Sequence, residues 1–199
     1  MRMNTSVSIK TSIGQRGFSL LEVLVSIVIL AIGLLGLAGL QTKANEIEME
    51  AYQRSVALML VQDMADRISA GRQYVDALKA KSLVVYGGDG QLDVCPDTAD
   101  VDAQLCAWGN AMDGAGEKKG AANIGAPIGM RGCLISIPPT NGALGEFFVV
   151  GVWQGLISTA SPPDGTPGAR CAPDADFGAA DRRRAVVTRV LIPKQEGTF

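Results

Sequence analysis

A predominantly apolar run at residues 18–40 constrains this chain more than any other feature, because it holds a single carboxylate, Glu22. The run is long enough for a membrane-spanning helix, which needs about 20 residues. An ionised side chain within such a helix costs about 2.5–3.5 kcal/mol on insertion scales. Glu22 is therefore expected to have a partner or a function.

A basic leader precedes the apolar run. Residues 1–17 carry Arg2, Lys10 and Arg16 and no acidic residue. This charge keeps the N-terminus cytoplasmic and predicts export of everything after Leu40. A secretory signal peptide has a shorter apolar region, of about 7–15 residues. A plain signal anchor fits the same topology, but it gives no reason for Glu22.

Residues 17–24, GFSLLEVL, are similar to the type IV pilin cleavage and methylation motif. The resemblance implies that a prepilin peptidase cuts between Gly17 and Phe18 and methylates the new amine of Phe18. The catalytic aspartates of that reaction belong to the peptidase, so this chain would be its substrate. Three further segments resemble PilV-type minor pilins (type IV pilus modification proteins), namely residues 29–41, 53–55 and 62–68.

The resemblance implies an α+β, type IV pilin-like fold. In that fold a long N-terminal helix, transmembrane in its first half, packs on a disulfide-bonded head with an antiparallel β-sheet. The expected divisions are a cleaved leader, a transmembrane and assembly helix, an amphipathic continuation of that helix, and a periplasmic globular head, at residues 1–17, 18–40, 41–72 and 73–199.

The implied function is that of a minor pilin, a low-copy subunit that primes pilus assembly and sits at or near the pilus tip. The implied partners are the prepilin peptidase, other minor and major pilins, the inner-membrane assembly platform and a tip adhesin. The chain would cross the bacterial inner membrane once, with its head in the periplasm, and would then join the pilus at the cell surface. A pseudopilin of a type II secretion system shares this leader and is the nearest alternative. A signal-anchored periplasmic adhesin or enzyme domain is a more distant one.

Helix geometry and charge also predict a role for Glu22, independently of the resemblance. After cleavage Phe18 would carry a cationic amine, four residues before Glu22 and so on the same helix face. The helix macrodipole also favours a carboxylate in the first turn. In a stack of like subunits, Glu22 of one chain could neutralise the amine of its neighbour and set the axial register. The alternative is a carboxylate that reaches towards the lipid head groups.

The helix is expected to continue well past the membrane. All nine prolines lie at or beyond residue 96, so none interrupts a helix before that point. Gly71 is the predicted stop. Residues 18–70 would form a helix about 80 Å long. Two acidic–basic pairs at i,i+4 support it, Glu50 with Arg54 and Asp63 with Arg67.

From residue 41 the helix pattern becomes amphipathic. Apolar or small residues recur every three or four positions, as on one helix face. That face is predicted to pack on the head and consists of Ala44, Ile47, Ala51, Ser55, Leu58, Val61, Ala65 and Ile68.

Three glycines, Gly33, Gly36 and Gly39, interrupt the apolar half of the helix at i+3 spacing. Each costs about 1 kcal/mol relative to alanine in a helix interior. Small residues let helices approach closely, so these glycines are predicted to pack against neighbouring pilins. Ordinary membrane-helix glycine is the alternative.

The head pattern predicts three strands and one helix. Short connections favour antiparallel pairing of the strands, which are expected at residues 133–137, 146–154 and 185–192. A further short strand is possible within residues 82–86. The helix is indicated by one apolar face and a capping Asp97 or Asp100; the face consists of Val101, Leu105, Trp108 and Met112.

Four cysteines lie on the exported side, where disulfides form. Without a C-x-x-C pair or any histidine, a structural zinc site is not expected. Four cysteines allow three pairings, which sequence alone does not separate. The favoured disulfides join Cys95 to Cys106 and Cys133 to Cys171, and free thiols are the alternative.

Catalytic motifs are absent from the sequence. Without histidine there is no Ser-His-Asp or Cys-His arrangement, and no nucleotide-binding glycine motif occurs. The chain is therefore expected not to be an enzyme and to need no cofactor or metal. The acidic residues Asp89, Asp93, Asp97, Asp100 and Asp102 do not follow calcium-loop spacing.

The main basic cluster is the run at residues 182–184 together with Arg189, and it is expected to flank the last strand in solvent. Without the three basic residues of the leader, 15 of the 18 basic residues remain against 20 acidic ones, a net charge of −5. Nucleic-acid binding is not expected from this balance.

Overall fold

The computed structural model describes residues 17–88, 92–120 and 122–194. The chain divides into two compact units, with the boundary between Ala44 and Asn45. The basic residues of the leader and Asp89, which the sequence singled out, lie outside the described residues.

Helix α1 runs from Leu20 to Ala70, which confirms the long helix. In the first unit its apolar side chains are exposed. Among the described residues, α1 is the helix whose length and composition suffice to cross a membrane. Polar side chains within it bond back to the main chain one turn earlier, as Ser26 Oγ does to the Glu22 carbonyl at 2.7 Å.

In the second unit α1 buries one face against the head. Asp63 and Arg67 form the predicted pair at 2.8 Å, and the Gly71 N–H bonds to the Arg67 carbonyl at 3.0 Å, where the helix ends. The predicted face is wrong in its first part, because Ile47 and Leu58 are about half exposed. The buried stripe is rotated towards other residues, Gln53, Val56, Ala57, Val61, Met64, Ala65 and Ile68.

A four-stranded antiparallel sheet, counted over the described residues, forms the other layer of the head. The strands are β1 Val85–Tyr86, β2 Lys118–Lys119, β3 Ala122–Asn123, β4 Arg131–Ile137, β5 Gly145–Gln154 and β6 Arg183–Ile192. The spatial order of the sheet is β1, β4, β5, β6, and the short strands β2 and β3 pair separately as a hairpin.

The three predicted long strands are confirmed, with β4 and β6 each beginning two residues earlier than expected. Of the short strand predicted within residues 82–86, only the last two residues form a strand, β1. Leu83 has a φ of 65°, which interrupts the extended backbone before β1.

Three α-helices of the described head follow α1, namely α2 Val75–Ala80, α3 Val101–Met112 and α4 Pro167–Arg170. The predicted helix is α3, and its apolar face is buried as expected. Asp100, and not Asp97, caps it by accepting the Ala103 N–H at 2.9 Å. That hydrogen bond holds the pKa of Asp100 below its ordinary value.

Apolar side chains pack on both faces of the sheet. On one face α1 and α3 cover Phe147, Val149 and Trp153, and Trp108 Nε1 of α3 donates to the Leu60 carbonyl of α1 at 2.8 Å. On the other face the segment after α4 covers Ile135, Val150 and Val152. The head therefore has a core on each side of its sheet.

Gly132 of β4 permits the close approach of α3. A Cβ built on Gly132 would lie 2.5 Å from Met112 Cε and also overlap the Trp108 ring. Gly132→Ala should lower the free energy of unfolding by about 1–3 kcal/mol, because it overpacks a filled core. Urea unfolding of the full-length protein in nonionic detergent, followed by tryptophan fluorescence, measures the change.

Gly116→Ala is the matched control, because a Cβ there meets nothing within 4 Å. Equal unfolding midpoints for the two variants would show that α3 does not depend on the glycine.

Candidate assembly site

Glu22 lies in the first turn of α1. Ser19 precedes the helix, and its carbonyl accepts the Glu22 N–H at 3.0 Å and the Val23 N–H at 3.3 Å. The negative side chain is thus near the positive end of the helix dipole. Within the described residues, the carboxylate of this exposed residue has no ion-pair partner.

Phe18 lies just outside the helix, which begins at Leu20. In the uncut chain its nitrogen is part of the peptide bond to Gly17, so it carries no charge. The pairing of a Phe18 amine with Glu22 is therefore a property of the cleaved protein and stays a prediction.

The three glycines of the apolar half border open space within the described residues. A Cβ built on Gly33, Gly36 or Gly39 would meet nothing within 4 Å. Close packing of these positions thus requires another molecule, and it also stays a prediction.

The structure contains the two disulfides that the sequence favoured. Cys95 joins Cys106 with a Cα–Cα distance of 5.5 Å, and Cys133 joins Cys171 at 5.6 Å. The first ties α3 to the segment that enters it. The second ties β4 to the segment after α4, across the second core. Each restricts the unfolded chain, an effect of about 2–4 kcal/mol.

The expectation that the arginine cluster lies in solvent is wrong for Arg184. Its Nε donates to Glu50 Oε1 of α1 at 2.6 Å, and only 14% of the Arg184 side chain and 21% of the Glu50 side chain are exposed. The other carboxylate oxygen accepts the Leu156 N–H at 2.7 Å. Glu50 therefore pairs with the last strand and not with Arg54.

The environment of Glu50 shifts its ionisation. Burial raises the pKa of the Glu50 carboxyl, but hydrogen bonds from the Leu156 N–H and the Arg184 guanidinium outweigh burial, and the net pKa lies below its ordinary value of 4.5. The folded head therefore stabilises the ionised carboxylate of Glu50.

Arg183 is also largely occupied within the head. Its guanidinium donates to the carbonyls of Gly168 at 3.0 Å and Ala172 at 3.2 Å, and to that of Cys171. It lies 5.0 Å from the centre of the Phe177 ring. Burial lowers the pKa of Arg183. This arginine therefore satisfies main-chain carbonyls where α4 ends.

Glu146 is a buried carboxylate that the sequence reading did not single out. It is 0% exposed and accepts the N–H and the hydroxyl of Thr140, each at 2.9 Å, together with Nε of Arg189. The Thr140 N–H, joined by Arg189, holds the pKa of Glu146 below its ordinary value. The sequence contains a signal for this ion pair, because Arg189 lies diagonally across from Glu146 when the two predicted strands pair.

The described acidic residues before and within α3 do not act together as one site. Asp102 pairs with Lys81, and the Asp93 N–H bonds to Asn110 at 2.7 Å. Over residues 17–88, 92–120 and 122–194, no three or more metal-ligating side chains converge.

Comparison with known proteins gives one match. The prokaryotic N-terminal methylation motif matches residues 13–38, which include the predicted cleavage position and Glu22. No curated protein and no solved structure matches the chain significantly. The match supports a prepilin of the type IV pilin or pseudopilin kind, membrane-anchored by its apolar helix.

Acid should destabilise the head. Glu50, Glu146 and Asp100 have pKa values below their ordinary ones. A carboxyl of this kind stabilises the fold above its unfolded pKa, and that contribution is lost as pH falls through the folded pKa. The free energy of unfolding should therefore be steady from about pH 7 to pH 5 and fall below that. Urea titrations in nonionic detergent across this range measure it.

Glu50→Gln should flatten this acid limb and lower stability at pH 7 by about 1.5 kcal/mol, the low end for a hydrogen bond to a charged group, because the pair is partly exposed. Asp76→Asn is the control, because Asp76 pairs with Lys79 in solvent. If both variants followed the wild-type curve, the Glu50 pair would contribute no pH dependence.

Proposed function

We propose that this chain is a minor pilin, made as a prepilin that is cut between Gly17 and Phe18 and methylated at the Phe18 amine. The observation that carries the proposal is Glu22, an exposed carboxylate without an ion-pair partner among the described residues, in the first turn of an apolar helix that matches a methylation motif. Its chemistry is assembly, with no catalytic step of its own.

Register during assembly comes from the pairing of Glu22 with the Phe18 amine of a neighbouring subunit. Cleavage creates a cation on a chain that already carries an unpaired anion nearby. Two such charges 4 Å apart attract by about 4 kcal/mol at an effective dielectric constant near 20. A subunit out of register loses this attraction and leaves both charges in apolar surroundings.

Lateral packing comes from the apolar half of α1. Gly33, Gly36 and Gly39 leave their helix surface open, so a neighbouring helix can approach its backbone closely. The exposed apolar side chains around them are suited first to lipid and then to other pilin helices.

The minor-pilin role, of the PilV type, is supported by the resemblance of residues 29–41, 53–55 and 62–68. In this role the chain joins a priming complex at or near the pilus tip. Its partners are the prepilin peptidase, other minor and major pilins, the inner-membrane platform and a tip adhesin. The disulfide-bonded head lies in the periplasm before assembly and on the cell surface afterwards.

Two measurements test the proposal. The mass and N-terminal sequence of the purified protein should show a chain that starts at a methylated Phe18. Shearing of cells should release the protein with pili in small amounts, and deletion of its gene should reduce pilus number. Normal pili with a defect in type II secretion would instead identify a pseudopilin, and an uncut N-terminus would contradict both roles.

Glu22→Gln should leave cleavage intact and strongly reduce incorporation into fibres, because it removes the negative charge while keeping the side-chain size. Immunoblots of membrane and sheared-fibre fractions measure both effects. Ser26→Ala is the control, since it changes an exposed polar residue one turn further on. Wild-type levels of Glu22→Gln in fibres would exclude the register role.

A further inference from the structure

Strand β6 is the edge of the sheet, and its outer side is unpaired within the described residues. The ladder to β5 is antiparallel, with Arg184 opposite Trp153 and Val187 opposite Val150. Two pairs beyond Arg184 and Trp153, the Gly155 N–H bonds to the Arg182 carbonyl at 2.7 Å. Hydrogen-bonded and non-hydrogen-bonded pairs alternate in such a ladder. Even-numbered residues of β6 therefore bond to β5, and odd-numbered ones direct their N–H and C=O groups outwards.

The open part of this edge is residues 187–191. At the start of β6, α4 lies against Ala185, since a Cβ on Gly168 would be 2.6 Å from the Ala185 side chain. At its end Pro193 stops the strand. Between them the outward main-chain groups belong to Val187, Arg189 and Leu191, and among described residues they have no hydrogen-bond partner. The open stretch is about 17 Å long.

Side chains along this edge alternate apolar, basic, apolar. Val187 is 41% and Leu191 is 45% exposed, and 55% of the Arg189 side chain is exposed although it bonds to Glu146. Exposed edges are usually blocked by charges, bulges or prolines. On this edge one charged residue, Arg189, lies between the apolar residues Val187 and Leu191. This pattern suits the binding of a partner strand as well as protection against aggregation.

The surroundings of the edge are basic. Helix α1 runs beside β6, because Glu50 binds Arg184 near the start of the strand and Arg72 binds the Pro193 carbonyl just after it, at 3.4 Å. Arg54 follows Glu50 by one helical turn and is exposed, as is Lys194. Two carboxylates that contact the strand, Glu50 and Glu146, are already engaged by its arginines, Arg184 and Arg189.

We propose that the β6 edge binds an extended segment of another polypeptide as a fifth strand, one in which apolar and acidic side chains alternate. The segment's main chain would bond to Val187, Arg189 and Leu191, which is β-strand addition. Its acidic side chains face the basic surroundings, and its apolar side chains cover Val187 and Leu191. This inference is independent of the proposed assembly role, since it concerns the head surface alone.

A peptide-binding measurement tests the charge preference. The probe is a fluorescent octapeptide of alternating valine and glutamate, titrated with the full-length protein in nonionic detergent micelles. The matched probe has lysine in place of each glutamate. Fluorescence anisotropy should show binding of the acidic peptide that is at least roughly tenfold tighter. Equal binding of the two peptides, or none, would overturn the proposal.

A pair of variants tests the use of the main chain. Val187→Pro removes an outward N–H and leaves the ladder to β5 intact, so it should weaken binding of the acidic peptide at least roughly tenfold. Val187→Ala keeps that N–H and should bind much more like the wild type. Unchanged binding by a folded Val187→Pro variant, checked by circular dichroism, would overturn the proposal.

Lys194→Glu decides the question even if the proline variant does not fold. It changes an exposed residue beyond the strand and should weaken binding of the acidic peptide while strengthening that of the basic one. The absence of any such change would contradict the charge argument. Self-association that depends on Val187, without peptide binding, would replace the proposed occupant by a second copy of this chain.

Discussion

The ion pair between Glu50 and Arg184 links α1 to β6 across 134 residues of sequence. The contact of Arg72 with the Pro193 carbonyl joins the same two segments at their other ends. The helical path from residue 50 to residue 72 is about 33 Å, and the strand path from residue 184 to residue 193 is about 30 Å. Because these lengths agree, helix and strand lie side by side, and the apolar core forms between them.

Local patterns predicted the elements of the fold but not its long-range polar contacts. Helix α3 was predicted because four apolar residues and a capping aspartate lie within thirteen residues, and β4 to β6 because each is a short apolar run between turn residues. The partner of Glu50 was predicted wrongly as Arg54, a residue at the ideal helical spacing. Arg184 is favoured instead because the pair is partly buried and the Leu156 N–H completes it. Nothing near Glu50 in the sequence indicates that Arg184, and not Arg54, is its partner.

The residues of the candidate assembly site could also be predicted from the sequence, but their contacts could not. Its residues were recognisable because cleavage and methylation read a short continuous segment, and that segment matches the known motif. The proposed pairing was not observable, because its cation would exist only after cleavage and would belong to a neighbouring subunit. The rotated stripe of α1 has a related cause. Ile47 and Leu58 fit the helical period, but the sheet contacts the side of the helix that carries Val56 and Met64, and periodicity alone does not define which flank is covered.

Three carboxylates in this chain meet the same physical requirement in different ways. Glu50 and Glu146 leave water on folding, and each is matched by an arginine and a main-chain N–H of the head. Such matching is what allows a charge to be buried. Glu22 has no ion-pair partner among the described residues, although apolar side chains surround it along the helix. Glu50 and Glu146 find their partners within the head, whereas Glu22 is exposed, so the proposed pairing of Glu22 needs a different molecule. In that proposal a cleaved neighbour supplies the cation at its first residue.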